Sequence, residues 1–184
     1  MSSSEVKSPS LSADQYLTFF IAGEEYATAI LKVREVVEYD TITMVPNTPP
    51  WIRGVTNVRG SVLPVVDLAV KFGLPRSPIS KLSCIVIAEV AAGGDRLTMG
   101  VLADAVSQVV DFGTEDIEQA PAFGTRVKIE YLLGMGRMGK KFCQILDIDK
   151  VLSVDELLAA SDSVAAAGLA DRSESSEAQQ QKPG

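Results

Sequence analysis

The chain has 184 residues, a net charge of −7 and no histidine. That length suits one domain or two very small ones, and the missing histidine excludes His-assisted nucleophiles, His-ligated metals and phosphohistidine relays. An acidic chain is poorly matched to a polyanion, so nucleic acid is not an expected ligand.

The Ser-rich residues 1–13 have no apolar core and predict a disordered tail rather than a secretory signal. No stretch approaches the roughly 18 uncharged apolar residues of a membrane span, so a cytoplasmic protein without membrane insertion is expected. From residue 14 onward, short β-favouring runs alternate with Gly and Pro punctuation: YLTFFI at 16–21, VREVVEY at 33–39, SVLPVVDL at 61–68, CIVIAEV at 84–90, LTMGVLA at 97–103, VSQVVDF at 106–112 and KFCQILDI at 141–148. The turns GEE at 23–25 and AAGGD at 91–95 separate neighbouring runs as hairpins do. Only short helices are expected: a turn after Asp67, and a C-terminal helix over 153–160 that opens on a Ser153-x-x-Glu156 capping box. Residues 161–184 offer too little apolar area to offset their ordering entropy and predict a second disordered tail. Cys84 and Cys143 sit singly in apolar runs, which predicts buried reduced thiols and no metal site.

An internal repeat organises the folded part. Val33-x-x-Val36-Val37-Glu38-Tyr39 recurs as Val106-x-x-Val109-Val110-Asp111-Phe112, and Ile42 and Pro46 recur as Ile117 and Pro121. Gly54-Val55 through Val65-Val66-Asp67-Leu68 recurs as Gly134-Met135 through Ile145-Leu146-Asp147-Ile148. The offset grows from 73 to 75 to 80 while order is kept, so one unit is written twice with extra residues in the second copy's loops. A small antiparallel unit removes its edges best by curling up. The predicted fold is all-β, with two similar five-stranded small barrels of SH3- or OB-like size. Subdomain 1 is expected at about 14–76 and subdomain 2 at about 80–152, within a folded span of 14–160.

No catalytic constellation assembles. Gly134 to Lys140 matches both G-x-G-x-x-G and the start of a phosphate loop, which would make the chain a small nucleotide-binding enzyme with Asp67 as a metal acid. A phosphate loop must open a helix, however, and the repeat partner GVTNVRG runs into Ser61-Val62-Leu63-Pro64, which reads as a strand after a tight barrel-corner turn. Asp67 and Asp147 hold equivalent places before helix-like stretches, where a carboxylate caps free amides. Glu35 and Arg59 could pair across a recognition groove walled by Ile30 and Val33. Trp51 is expected to plug a barrel end, and Phe123, beside a proline-containing loop, to project as an interaction anchor.

Residues 23–73, with the string NTP…I-R-G-V-x-N-V-R-G…P-V-V-D-L, closely resemble the CheW family of bacterial chemotaxis coupling proteins, and the likeness continues through GVLADAVSQVVDF and EYLLGMGRMGKKFCQILDIDKVL to about residue 152. The resemblance implies a non-enzymatic adaptor without cofactor, which joins the cytoplasmic tip of methyl-accepting chemotaxis receptors to the regulatory domain of the histidine kinase CheA in arrays at the inner membrane. A related twitching or gliding array would present the same features. It implies a receptor-facing groove formed by Ile30, Val33, Glu35, Gly54 and Arg59, lined from the second subdomain by Gly100 and Val101, and kinase contacts at Val106 and Phe123.

Overall fold

The computed structural model describes residues 15–153. The expected tails, and the helix expected beyond Ser153, lie outside the described residues. The strands are β1 (Gln15–Ile21), β2 (Glu24–Ala29), β3 (Val33–Glu38), β4 (Ile52–Val58), β5 (Ser61–Val66), β6 (Cys84–Ala92), β7 (Asp95–Ala103), β8 (Ala105–Asp111), β9 (Ile117–Glu118), β10 (Leu132–Met138) and β11 (Lys141–Leu146). Two short helices, α1 (Leu68–Lys71) and α2 (Ile148–Val151), follow β5 and β11. The strands form two mixed sheets, in the orders β8-β1-β2-β11-β10-β9 and β3-β6-β7-β5-β4. The chain is therefore all-β with two subdomains, as its sequence predicts, one sheet gaining a sixth, two-residue strand.

The duplication is visible in the pairing. β1 lies against β8 as β6 lies against β3, β2 runs parallel to β11 as β7 runs parallel to β5, and β10–β11 matches β4–β5. Even the irregularities recur: register shifts at Leu17/Phe19 and Val33/Glu35 fall at matching places in the β1–β8 and β3–β6 ladders, and those at Ile52/Gly54 and Leu132/Gly134 match in β4 and β10.

The two sheets nevertheless do not follow the expected cut near 76–82. Hairpin β1–β2 of the first copy completes the sheet built by β8 to β11 of the second, while hairpin β6–β7 of the second completes the sheet built by β3 to β5 of the first. Each barrel thus draws on both copies. Local sequence pattern specifies a hairpin, but two equivalent units offer that hairpin equivalent edges, so the exchange leaves no local signature.

Both sheets curl. Six steps of chain from Asp111 to Ile117 reach at most about 21 Å, whereas five strand spacings across a flat sheet would need about 24 Å, and β8 and β9 are opposite edges of one sheet. In the other sheet, chain leaving β3 reaches the far edge strand directly, through a bridge between Thr43 and Val55 of β4. At this seam a Cβ on Gly54, whose φ is +147°, would collide with the Thr43 carbonyl oxygen. At the matching seam a Cβ on Gly134 would stand 2.8 Å from the Glu118 carbonyl oxygen. Closure leaves little unpaired edge.

Three buried clusters follow from strand alternation. Leu63, Val65, Ile85, Ile87 and Leu102 fill the five-stranded barrel, and Ala27, Phe112, Cys143 and Ile145 fill the six-stranded one. The opposite faces, including Leu17, Phe19, Ile21, Val86, Ala88, Val90 and Met99, join α1 and α2 in one core between the barrels. Both cysteines are free and buried, and loss of solvation, followed by repulsion from Glu25, raises the Cys143 thiol pKa to about 11.

Candidate functional site

The five-stranded barrel opens at one end into a cavity of about 430 Å³. Its floor is apolar, Leu63 and Ile87 from the barrel interior, and its rim carries Glu35, Arg59, Ser61 and Thr98. Across the mouth Arg59 Nη2 lies 2.9 Å from Glu35 Oε2, joining the β4–β5 turn to β3. The pair that sequence places together is therefore in contact.

The backbone at Arg59 is unusual. It adopts φ +51°, in the left-handed region, as the first residue of a turn in which Gly60 N–H donates to Asn57 Oδ1 at 2.9 Å. The matching turn of the other barrel begins with Gly139, at φ +62°. Glycine takes that conformation freely, and a side-chain-bearing residue there costs about 1 kcal/mol. The Arg59 side chain is 81% exposed, and an exposed ion pair returns only about 0–1 kcal/mol. The two roughly cancel, so stability alone gives no reason for arginine at this position.

The other sequence-derived positions divide. Ile30, in a 3-10 turn over Ile30–Lys32, and Val33, at the start of β3, are half-buried against the core between the barrels, while the more exposed apolar side chains nearby are Leu31 and Val36. Gly54, Gly100 and Val101 are buried and do not line the barrel-mouth cavity. Gly54 permits the closure seam, a Cβ on Gly100 would stand 2.6 Å from Ile85 Cγ2, and Val101 belongs to the inter-barrel core. Val106 pairs opposite Phe19 near the start of β8, and Phe123 is 86% exposed in the loop after β9, beyond the far end of that strand. Val106 is half-buried and packs against the core between the barrels.

The glycine motif is not a phosphate loop. Gly134 and Gly136 lie within β10, and strand β11 follows, so no helix opens on the motif. The barrel-corner reading is also too broad, because the turn itself begins only at Gly139. Asp67 accepts from Val70 N–H and caps α1, with the guanidinium groups of Arg53 and Arg76 at 3.7 and 3.6 Å. Its counterpart Asp147 makes no capping hydrogen bond and instead lies 3.9 Å from Lys150. Trp51 packs at the edge of the inter-barrel core beneath the Lys71 ammonium, 4.5 Å from its ring. Among the described residues no group of three or more Cys, Asp and Glu is placed to hold a metal ion.

One cluster went unread in the sequence. Glu89 on β6 accepts from Arg96 Nη1 at 3.0 Å and lies 3.1 Å from Arg34 Nη1, beside the Glu35–Arg59 mouth. Its signal was Glu89 itself, the lone charge in CIVIAEV, on the same strand face as Ile85 and Ile87. Lys32 is held 2.7 Å from Asp149, whose other oxygen accepts from Ala91 N–H, so α2 is tied to both β3's approach and the tip of β6.

The model of the CheW-like domain matches residues 15–156. This chain belongs to the CheW-like family. Chemotaxis protein CheW of Klebsiella aerogenes is 38% identical over 143 residues, covering 78% of this chain and 84% of the relative. Chemotaxis protein CheW of Bacillus subtilis is 30% identical over 142 residues, covering 76% and 86%. The crystal structure of the scaffolding protein TtCheW from Thermoanaerobacter tengcongensis superposes with a TM-score of 0.71 at 30% identity, over 84% of this chain and 96% of that one. The CheW-like domain thus accounts for both barrels, and no described helix is long and apolar enough to cross a membrane.

Proposed function

We propose that this CheW-like protein is a non-enzymatic adaptor, coupling membrane chemoreceptors to the histidine kinase CheA within cytoplasmic arrays at the inner membrane. The supporting observation is Arg59: an arginine in a left-handed turn where the duplicate barrel uses glycine, reaching across a barrel mouth to Glu35. The receptor's cytoplasmic tip, a helical hairpin, docks there as helices dock in grooves, with apolar side chains against Leu31, Val36 and the half-buried Ile30 and Val33, and the Glu35–Arg59 pair fixing the polar rim. Phe123, an aromatic held almost wholly in solvent on the other barrel, is the anchor for the kinase's regulatory domain, with Val106 contributing from the same barrel.

Reconstituted receptor-dependent kinase stimulation tests the reading. Arg59→Glu places two carboxylates at the mouth and is expected to abolish stimulation while the purified variant still melts cooperatively. Full stimulation by the folded variant contradicts the assignment. Phe123→Asp is expected to weaken kinase association at least tenfold by calorimetry, and an unchanged affinity removes Phe123 from the interface.

A further inference from the structure

Each barrel serves as the other's control. Val36 stands opposite Val86 as Val109 stands opposite Leu17, so β6 corresponds to β1, and Glu89 corresponds to Phe20. By the repeat offset Arg34 corresponds to Ser107 and Glu35 to Gln108. Thr18, the counterpart of Ile87, exchanges hydrogen bonds with the Gln108 backbone. The six-stranded barrel's equivalent end thus lacks both the Glu35–Arg59 pair and the Arg34–Glu89–Arg96 cluster, and carries its charges elsewhere, at Glu25 and Lys141, the counterparts of Thr98 and Ser61. Its hairpin has already turned at Ala22 and Gly23, whereas the β6–β7 ladder continues through Ala91 opposite Arg96 and Ala92 opposite Asp95. The five-stranded barrel alone has lengthened this hairpin and placed Arg96 on the added part.

Two guanidinium groups converge on the single Glu89 carboxylate, and the hairpin extension that brings Arg96 also brings Asp95 beside it. Glu89 is mostly buried while Arg34 and Arg96 are 59% and 82% exposed. Each arginine has five N–H donors, and Glu89 engages one nitrogen of each, so the carboxylate orients both groups and leaves donors facing solvent. Arg34 also borders the Glu35–Arg59 mouth, and Glu89 and Arg96 line an adjoining cleft of about 330 Å³ with Leu31 and Val90. Mouth and cleft form one continuous surface.

We infer that Arg34 and Arg96, held by Glu89, form a second subsite, which receives an acidic side chain of the same helix that docks at the Glu35–Arg59 mouth. This rests on the receptor-docking reading of that mouth. Its occupant is fixed by charge: a helix presenting an apolar residue to Leu31 and a carboxylate to the two arginines, the interaction that sets on-rate and register in a charged groove.

The test is calorimetric titration of the full chain with a purified helical-hairpin fragment from the cytoplasmic tip of a chemoreceptor, at low and high salt. Arg96→Glu and Arg34→Glu, both at exposed positions, are expected to keep the wild-type melting profile and weaken binding about tenfold at low salt, the gap narrowing as salt screens it. Replacing an acidic residue of the fragment by lysine should restore binding to Arg96→Glu. If Arg59→Glu abolishes binding while Arg96→Glu and Arg34→Glu stay within twofold of wild type, the subsite is refuted and the docking reading stands. If the unmodified chain does not bind the fragment, the docking reading fails and the subsite with it.

Discussion

The two barrels share strand order, bulges and closure seams, yet their mouths differ in kind. One is spanned by an ion pair and flanked by a three-residue charge cluster; the other carries Gly139 and Gln108 where the first has Arg59 and Glu35. What the barrels hold in common is what closes a small curled sheet. Among what they do not share are the charges on β3, the β4–β5 turn and the prolonged β6–β7 hairpin of one barrel, and the longer loop bearing Phe123 in the other. A duplicated fold separates what closure requires from what it does not, because a feature present in both copies belongs to the barrel and a feature present in one does not.

The largest expected contrast lies at the closure seams. Gly54→Ala forces a Cβ onto the Thr43 carbonyl at a left-handed φ, and a loss of about 3 kcal/mol or more is expected in denaturant titration. Gly134→Ala meets Glu118 at 2.8 Å from ordinary φ, and about 2 kcal/mol is expected; equal losses would remove the role given to backbone strain. Next come the paired aspartates. Asp67→Ala removes a cap and leaves Arg53 beside no carboxylate, lowering stability by about 2 kcal/mol. Asp147→Ala, which caps nothing, should stay within about 0.5 kcal/mol, and a reversed order would contradict the assignment of the caps.

A third contrast is in pH. The Cys143 thiol, its pKa raised to about 11 from 9.0, holds its proton in the folded protein after the unfolded chain has lost it. Its contribution is therefore complete below pH 9 and lost as pH rises toward 11, amounting to roughly 3 kcal/mol. Cys143→Ala should flatten that decline in melting curves taken across the window; an unchanged slope would place the alkaline sensitivity elsewhere. A fourth contrast is at the turns: Arg59→Gly should be neutral or stabilising by up to about 1 kcal/mol in denaturant titration, and Gly139→Arg destabilising by about as much.

Much of the fold was legible because burial imposes alternation. The runs at β1, β3, β5 to β8 and β11 are apolar and β-branched enough to declare themselves. β4 and β10 were hidden by Gly54, Asn57, Gly134 and Gly136, which read as turn residues but sit in strands, the three glycines where a neighbouring backbone or ring crosses closely. The two-residue β9 is too short to carry a period. The exchange of hairpins between copies was invisible, since either pairing buries the same faces. At the site, Glu35 and Arg59 could be paired because each is a charge set in apolar sequence. Gly100 and Val101 carry no charge to mark them, and the structure places Gly100 against Ile85 and Val101 in the core between the barrels.

The central claim is that Arg59 occupies its turn for recognition and not for folding. Its most direct test is one variant, Arg59→Gly, measured twice: by thermal melting and by calorimetric titration with a chemoreceptor-tip helical hairpin. A melting temperature equal to or above wild type is expected, together with loss of detectable binding. Wild-type affinity in the glycine variant, or a clear loss of stability, would contradict it.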